Sequence, residues 1–240
     1  MRKPTDITPG TTSGAPAAGG VGRDVAAFLD AARARPPRAT AGRGRLVFAL
    51  DATMSRQPTW DLACKLQAEM FEAAAATGGL EVQLVYYRGR GEARASRWVS
   101  DAAGLTGLMT GIACHGGLTQ IGRVLDHAGK VAAAGPLAAM VFVGDAVEEN
   151  PDVLADKAGA LALRHTRAFM FHEGGDATAA ATFREIARLT GGAYLPFDAR
   201  SARELGELLA AVGAYAAGGR PALEAAGTGA ARKLLADLGS

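Results

Sequence analysis

Asp51, Thr53 and Ser55 occupy alternate positions in Asp51-Ala52-Thr53-Met54-Ser55, directly after the apolar run Leu46-Val47-Phe48-Ala49-Leu50. A carboxylate and two hydroxyls in one loop are the oxygen donors that a hard cation such as Mg²⁺ takes. Two further segments carry related chemistry. Gly116-Gly117-Leu118-Thr119-Gln120-Ile121 is a glycine-rich loop that brings Thr119 to the start of a helix, and Val141-Phe142-Val143-Gly144-Asp145 is a second apolar run ending in a carboxylate. Placed side by side, Asp51 and Asp145 would repel, and one would have to take up a proton. A divalent cation between them removes that conflict.

The elements around these segments alternate. Apolar runs bounded by polar or glycine residues read as buried parallel strands. They fall at Leu46 to Asp51, Glu81 to Arg88, Leu137 to Gly144, Thr166 to Phe171 and Ala193 to Pro196, and Ala95 to Val99 reads as a short antiparallel edge strand. Helical periodicity fills Thr59 to Thr77 (Leu62, Leu66, Met70 and Phe71 on one face), Asp101 to Met109, Thr119 to Ala134, Pro151 to Leu163, Thr178 to Thr190 and Ser201 to Ala217. This rhythm predicts an α/β, doubly wound, mostly parallel Rossmann-like sheet with helices on both faces. In such a sheet the first and fourth strands are neighbours at the topological switch point, where ligands collect beyond the carboxyl ends. Residues 1–21, rich in Thr, Pro, Gly and Ala, read as a disordered tail. Residues 22–43 read as a short helix (Asp24 to Arg35) and a linker, 44–217 as one domain, and 218–240 as a tail with one further helix near Ala230 to Leu238.

Bulk properties narrow the classes. With 240 residues the chain can bury a substantial core, and 26 basic against 24 acidic residues give no field that would recruit nucleic acid. The arginines between Arg33 and Arg45 lack interleaved aromatics and read as a solvated linker. Two distant cysteines, Cys64 and Cys114, fit free thiols in a reducing compartment. Neither a signal peptide nor a membrane-length apolar run is present, so a cytoplasmic location with no membrane partner is expected.

The ordered set of three segments resembles a von Willebrand factor A domain with a metal-ion-dependent adhesion site. Asp51, Thr53 and Ser55 match that family's Asp-x-Ser-x-Ser loop, Thr119 its later threonine, and Asp145 the aspartate after the fourth strand. The likeness spans roughly residues 44–217. Thr53 replaces a serine but keeps the hydroxyl, and Ala146 follows Asp145 where the family has glycine. The resemblance implies that Asp51, Thr53, Ser55, Thr119 and Asp145 hold Mg²⁺ or Mn²⁺. Ser55, Thr53 and Thr119 would bind directly, and the aspartates through water. An open position would accept an Asp or Glu carboxylate from a partner protein. For a bacterial cytoplasmic member it further implies an adaptor role, with an ATPase or chaperone as partner.

Arg56 and Gln57 open the first helix beside this site, and Glu148 and His172 lie at neighbouring strand ends, so these four are the candidate partner-binding residues. Plainer roles stand beside this one: Glu148 and Glu149 as charges at the following helix N-terminus, and His172 as a solvated loop histidine. Cys114-His115 lacks a second Cys/His pair for zinc and reads as structural. Trp60 and Trp98 read as packing residues. Among rival functions, a phosphoryl-transfer enzyme with an aspartate nucleophile needs a second aspartate two residues on, where this chain has Thr53. A nucleophile elbow and the nucleotide-binding glycine signatures are absent as well. A scaffold of the same fold with a vestigial metal site remains the alternative to an adhesion module.

Overall fold

The computed structural model describes residues 43–53, 57–75, 78–197 and 202–238. The expected helix Asp24 to Arg35 and the N-terminal tail lie outside them. Six strands form one sheet in the order β3-β2-β1-β4-β5-β6. They are β1 (Gly44–Asp51), β2 (Leu80–Arg88), β3 (Glu92–Val99), β4 (Ala139–Gly144), β5 (Arg167–Glu173) and β6 (Ala193–Phe197). All neighbours are parallel except β2 and β3, which pair antiparallel across a short turn. This is the doubly wound arrangement that the strand–helix rhythm predicts, with the chain order reversing between β1 and β4.

Eight helices cover the sheet among the described residues: α1 (Gln57–Leu66), α2 (Ala68–Ala75), α3 (Ala102–Met109), α4 (Ile121–Ala134), α5 (Pro151–Ala162), α6 (Ala177–Thr190), α7 (Ala202–Ala226) and α8 (Gly229–Asp237). Strand alternation splits the core in two. Leu46, Phe48 and Leu50 face Trp60, Met70, Leu105, Leu208, Val212 and Tyr215, and Val47, Ala49, Val85 and Tyr87 face Ile121, Val124, Leu154 and Phe183. Trp60 is buried as a packing residue, while half-buried Trp98 carries the Arg45 guanidinium 4.0 Å above its ring.

Two differences from the sequence reading have identifiable causes. The single helix expected over Thr59 to Thr77 is divided at Gln67. The buried Gln67 amide donates across to the Ala102 carbonyl (3.0 Å) and the Thr106 hydroxyl (2.6 Å) of α3, a long-range demand that helical periodicity does not encode. Residues 218–238, read as a tail with one further helix, carry that helix at Gly229–Asp237 and pack against the domain. Helix α7 turns at Gly219 (φ 66°), and Leu223, Ala231 and Leu234 are fully buried against the main core.

Candidate metal centre

Asp51 ends β1, opposite Tyr87 of β2, and one step beyond the Leu50–Val143 pair that joins β1 to β4. Asp145 follows the last residue of β4. The carboxyl ends of two adjacent central strands therefore bring both aspartates to the switch point. Asp51 is only 3% exposed. Burial raises its carboxyl above the ordinary aspartate range and the Asp145 charge adds to this, while the Thr53 N–H, donating to Oδ1 at 2.7 Å, works the other way. Thr53 is itself buried beside it. Ser55 and Arg56 lie outside the described residues.

Thr119 is placed by two contacts of the Gly116–Gln120 loop. The Leu118 N–H donates to the Gly89 carbonyl (3.1 Å), and the Gln120 amide reaches the Arg88 carbonyl (3.3 Å), strapping the loop to the β2–β3 turn. A Cβ on Gly117 would lie 2.3 Å from the Gly89 nitrogen, so only glycine allows this approach. Thr119 then exchanges hydrogen bonds with Glu148: its N–H donates to Glu148 Oε2 (2.8 Å), and its hydroxyl accepts the Glu148 N–H (3.0 Å). Glu149 caps α4, accepting from the Ile121 N–H (2.5 Å) and the Gly122 N–H (3.0 Å), because Gln120 at the N-cap offers no side-chain bond. Half-burial raises the Glu149 carboxyl, and these two donors counter the shift. The two glutamates thus serve α4 and its loop, not the next helix. That helix, α5, is capped by Asn150, which accepts from the Asp152 N–H at 2.9 Å.

The remaining candidates separate. Glu148 is exposed at the rim, with its backbone and one carboxylate oxygen committed to Thr119. Gln57, half-buried, accepts from the Cys114 N–H (3.4 Å) and donates to Asp61 (2.8 Å), tying α1 to the segment that leads into the Thr119 loop. His172 is corrected: it is 1% exposed and does not reach a partner-facing surface. Strand β5 runs on to Glu173, two residues past its expected end, and alternation turns His172 inward under α6. There Nδ1 lies 2.7 Å from the Tyr194 hydroxyl, the ring meets Phe183 edge-on, and burial lowers its pKa. Cys114 is buried, and the His115 N–H is bonded to the Ala52 carbonyl (2.9 Å), in keeping with a structural role.

Two further residues escaped the sequence reading: Tyr87 stands beside Asp51, and Glu173 accepts from the Thr59 hydroxyl of α1. Glu149, read as a helix N-terminal charge, caps α4 and not the helix that follows it. Only Tyr87 had a readable signal, its place at the end of a strand neighbouring β1.

Among the described residues no three His, Cys, Asp or Glu side chains come together, so a soft or imidazole-bound metal has no set of ligands there. Asp51 and Asp145 stand at the carboxyl ends of adjacent strands with Thr53 beside Asp51, while Thr119 is held by Glu148; carboxylate and hydroxyl oxygens are donors of the kind that Mg²⁺ or Mn²⁺ takes. No helix among the described residues is long and apolar enough to cross a membrane.

No protein-family profile and no curated protein sequence matches this chain. Solved structures do. A von Willebrand factor type A protein from Catenulispora acidiphila aligns at 20% identity and a TM-score of 0.58, over 74% of this chain and 43% of that one. The open conformation of the pilus adhesin SpaC from Lactobacillus rhamnosus GG aligns at 9% identity and a TM-score of 0.59, over 74% and 30%. The SpRpn10 VWA domain aligns at 12% identity and a TM-score of 0.54, over 71% and 95%. The chain thus spans less than half the length of the first two proteins. With the strand order and the switch-point geometry above, these alignments show that the chain has the von Willebrand factor A fold.

Proposed function

We propose that this chain is a non-enzymatic protein-interaction module that docks an Asp or Glu of a partner protein through a divalent cation, Mg²⁺ or Mn²⁺, held by Asp51, Thr53, Ser55, Thr119 and Asp145. One observation carries this reading. Two aspartates sit at the carboxyl ends of adjacent strands, one of them almost fully buried with Thr53 beside it. Buried like charges are costly unless an opposite charge joins them. A bound cation supplies that charge and an exchangeable position for an incoming carboxylate. The protein's own part is positional: Thr53 N–H orients Asp51, and Glu148 and the Gly89 carbonyl fix the loop that carries Thr119. Arg56, Gln57 and Glu148 would border the docking position. The description of one structural neighbour as a pilus adhesin accords with a binding role. The bacterial cytoplasmic setting, with an ATPase or chaperone as partner, rests on the sequence resemblance alone.

The test is calorimetric titration of Mg²⁺ and Mn²⁺ into chelator-treated protein, with Asp51→Ala and Thr119→Ala in parallel. One saturable site in the wild type, lost in both variants, is expected. No heat of binding at millimolar metal would overturn the reading in favour of a scaffold with a vestigial site.

A further inference from the structure

The level of the sheet that carries Asp51 holds more polar groups than a packing layer requires. Register sets Tyr87 of β2 opposite Asp51 of β1, and Gly144 of β4, one step past the Val143 that pairs with Leu50, opposite His172 of β5. Side chains at one level of adjacent strands point to one face, so Tyr87, Asp51 and His172 form a row beneath α4, α5 and α6, with a glycine between the last two. Tyr87 is completely buried, and its ring stacks on Phe142 (centroids 6.2 Å apart, planes at 15°), which fixes the direction of the hydroxyl. That hydroxyl closes no hydrogen bond of standard geometry, and the carboxylate beside it is Asp51. A phenylalanine would fill the same space without burying an oxygen that lacks a partner, an arrangement proteins rarely keep without a use for it.

We propose that Tyr87 is a positioning residue for the cation site, its hydroxyl donating to the Asp51 carboxylate from the β2 side and holding it, together with the Thr53 N–H, in the rotamer that faces the cation. The inference rests on the preceding reading of Asp51 as a metal-holding residue and adds a second donor to it. Two donors at different angles remove the carboxylate's rotational freedom before a cation arrives, as partners behind metal ligands do elsewhere.

A second tyrosine supplies an internal control. Tyr215, on the opposite face of the sheet, is equally buried, and its hydroxyl also closes no hydrogen bond, but its charged neighbour is Arg167 and not a candidate ligand. The full chain, stripped of metal, would be titrated with Mn²⁺ as wild type, Tyr87→Phe and Tyr215→Phe. Electron paramagnetic resonance would follow both the loss of the free-ion signal and the line shape of the bound ion. Tyr87→Phe should weaken Mn²⁺ binding by about tenfold or more and alter the bound line shape, with Tyr215→Phe matching the wild type in both. Metal-free thermal unfolding would confirm that each variant is folded. Unchanged affinity and line shape in Tyr87→Phe, or equal weakening in both variants, would overturn the assignment while leaving the cation site standing. Absence of Mn²⁺ binding in the wild type would overturn the cation site and this inference with it.

Discussion

Glu149 offers a quantitative handle on the loop that presents Thr119. Its two carboxylate oxygens take the first free N–H groups of the 14-residue helix α4, those of Ile121 and Gly122, and both residues are buried, so water is a poor substitute. Replacing Glu149 with alanine strands both donors. Each lost bond is worth about 1 kcal/mol net, and removing a negative charge from a helix N-terminus costs about 0.5 kcal/mol more. Relief of the carboxylate's own burial offsets part of this, which leaves a destabilisation of about 2 kcal/mol. For a domain of this size that corresponds to a fall in Tm of roughly 4–8 °C. Glu149→Gln keeps one acceptor oxygen but turns an amide NH₂ toward the second donor, and should lose about half as much. Urea unfolding of metal-free protein, followed by circular dichroism, measures both. Because Thr119 lies two residues before α4, Mn²⁺ affinity should also fall in Glu149→Ala. A Glu149→Ala variant within about 0.5 kcal/mol of wild type, the ordinary scatter of neutral surface changes, would refute the capping argument.

Other consequences can be checked independently. Gly191 and Gly192 end α6 side by side but answer to different constraints: Gly191 takes a left-handed conformation (φ 64°), whereas a Cβ on Gly192 would lie 1.9 Å from the Ala168 carbonyl oxygen. Gly191→Ala should cost about 1 kcal/mol and Gly192→Ala about 3 kcal/mol, as read by denaturant midpoints. Removing residues 220–240 deletes Leu223 and Leu234, fully buried side chains worth about 1.5–3 kcal/mol each, and uncovers the core they pack against; the truncated chain should show a large fall in Tm or a molten near-ultraviolet spectrum. His127, 2.8 Å from the Gln83 side-chain oxygen, has its pKa lowered by burial and then by Lys130. The folded state therefore resists protonation, so this residue's contribution to stability is complete above about pH 6.5 and is lost as pH falls below it. His127→Gln should show a shallower loss of Tm than wild type between pH 7.5 and pH 5, and parallel curves would count against the assignment.

How far the chain's own order of residues reaches can be traced element by element. The runs ending at Asp51 and Gly144 are legible because a strand buried on both faces must be apolar at every position, and the residue after such a run stands at the ligand-bearing edge. Asp51 and Asp145 could be named on that basis, and the pairing of β1 with β4 sets the ends of their strands side by side. Local pattern failed where the deciding contact is distant in sequence. The pull of α3 on Gln67, the capping of α4 by Glu149 and the exchange between Thr119 and Glu148 each join residues about 27 to 39 positions apart.

The sequence by itself determined the strand and helix alternation, the crossing point of the sheet and the oxygen-donor chemistry of the strand ends, since these follow from period, composition and short spacing. Only the tertiary structure decided that His172 is interior, that Tyr87 stands against Asp51, and that residues 220–238 belong to the core. Those outcomes depend on where a strand ends, which face its last residue takes and what packs above it. They are set by the whole sheet and its covering helices, not by any stretch of chain read alone.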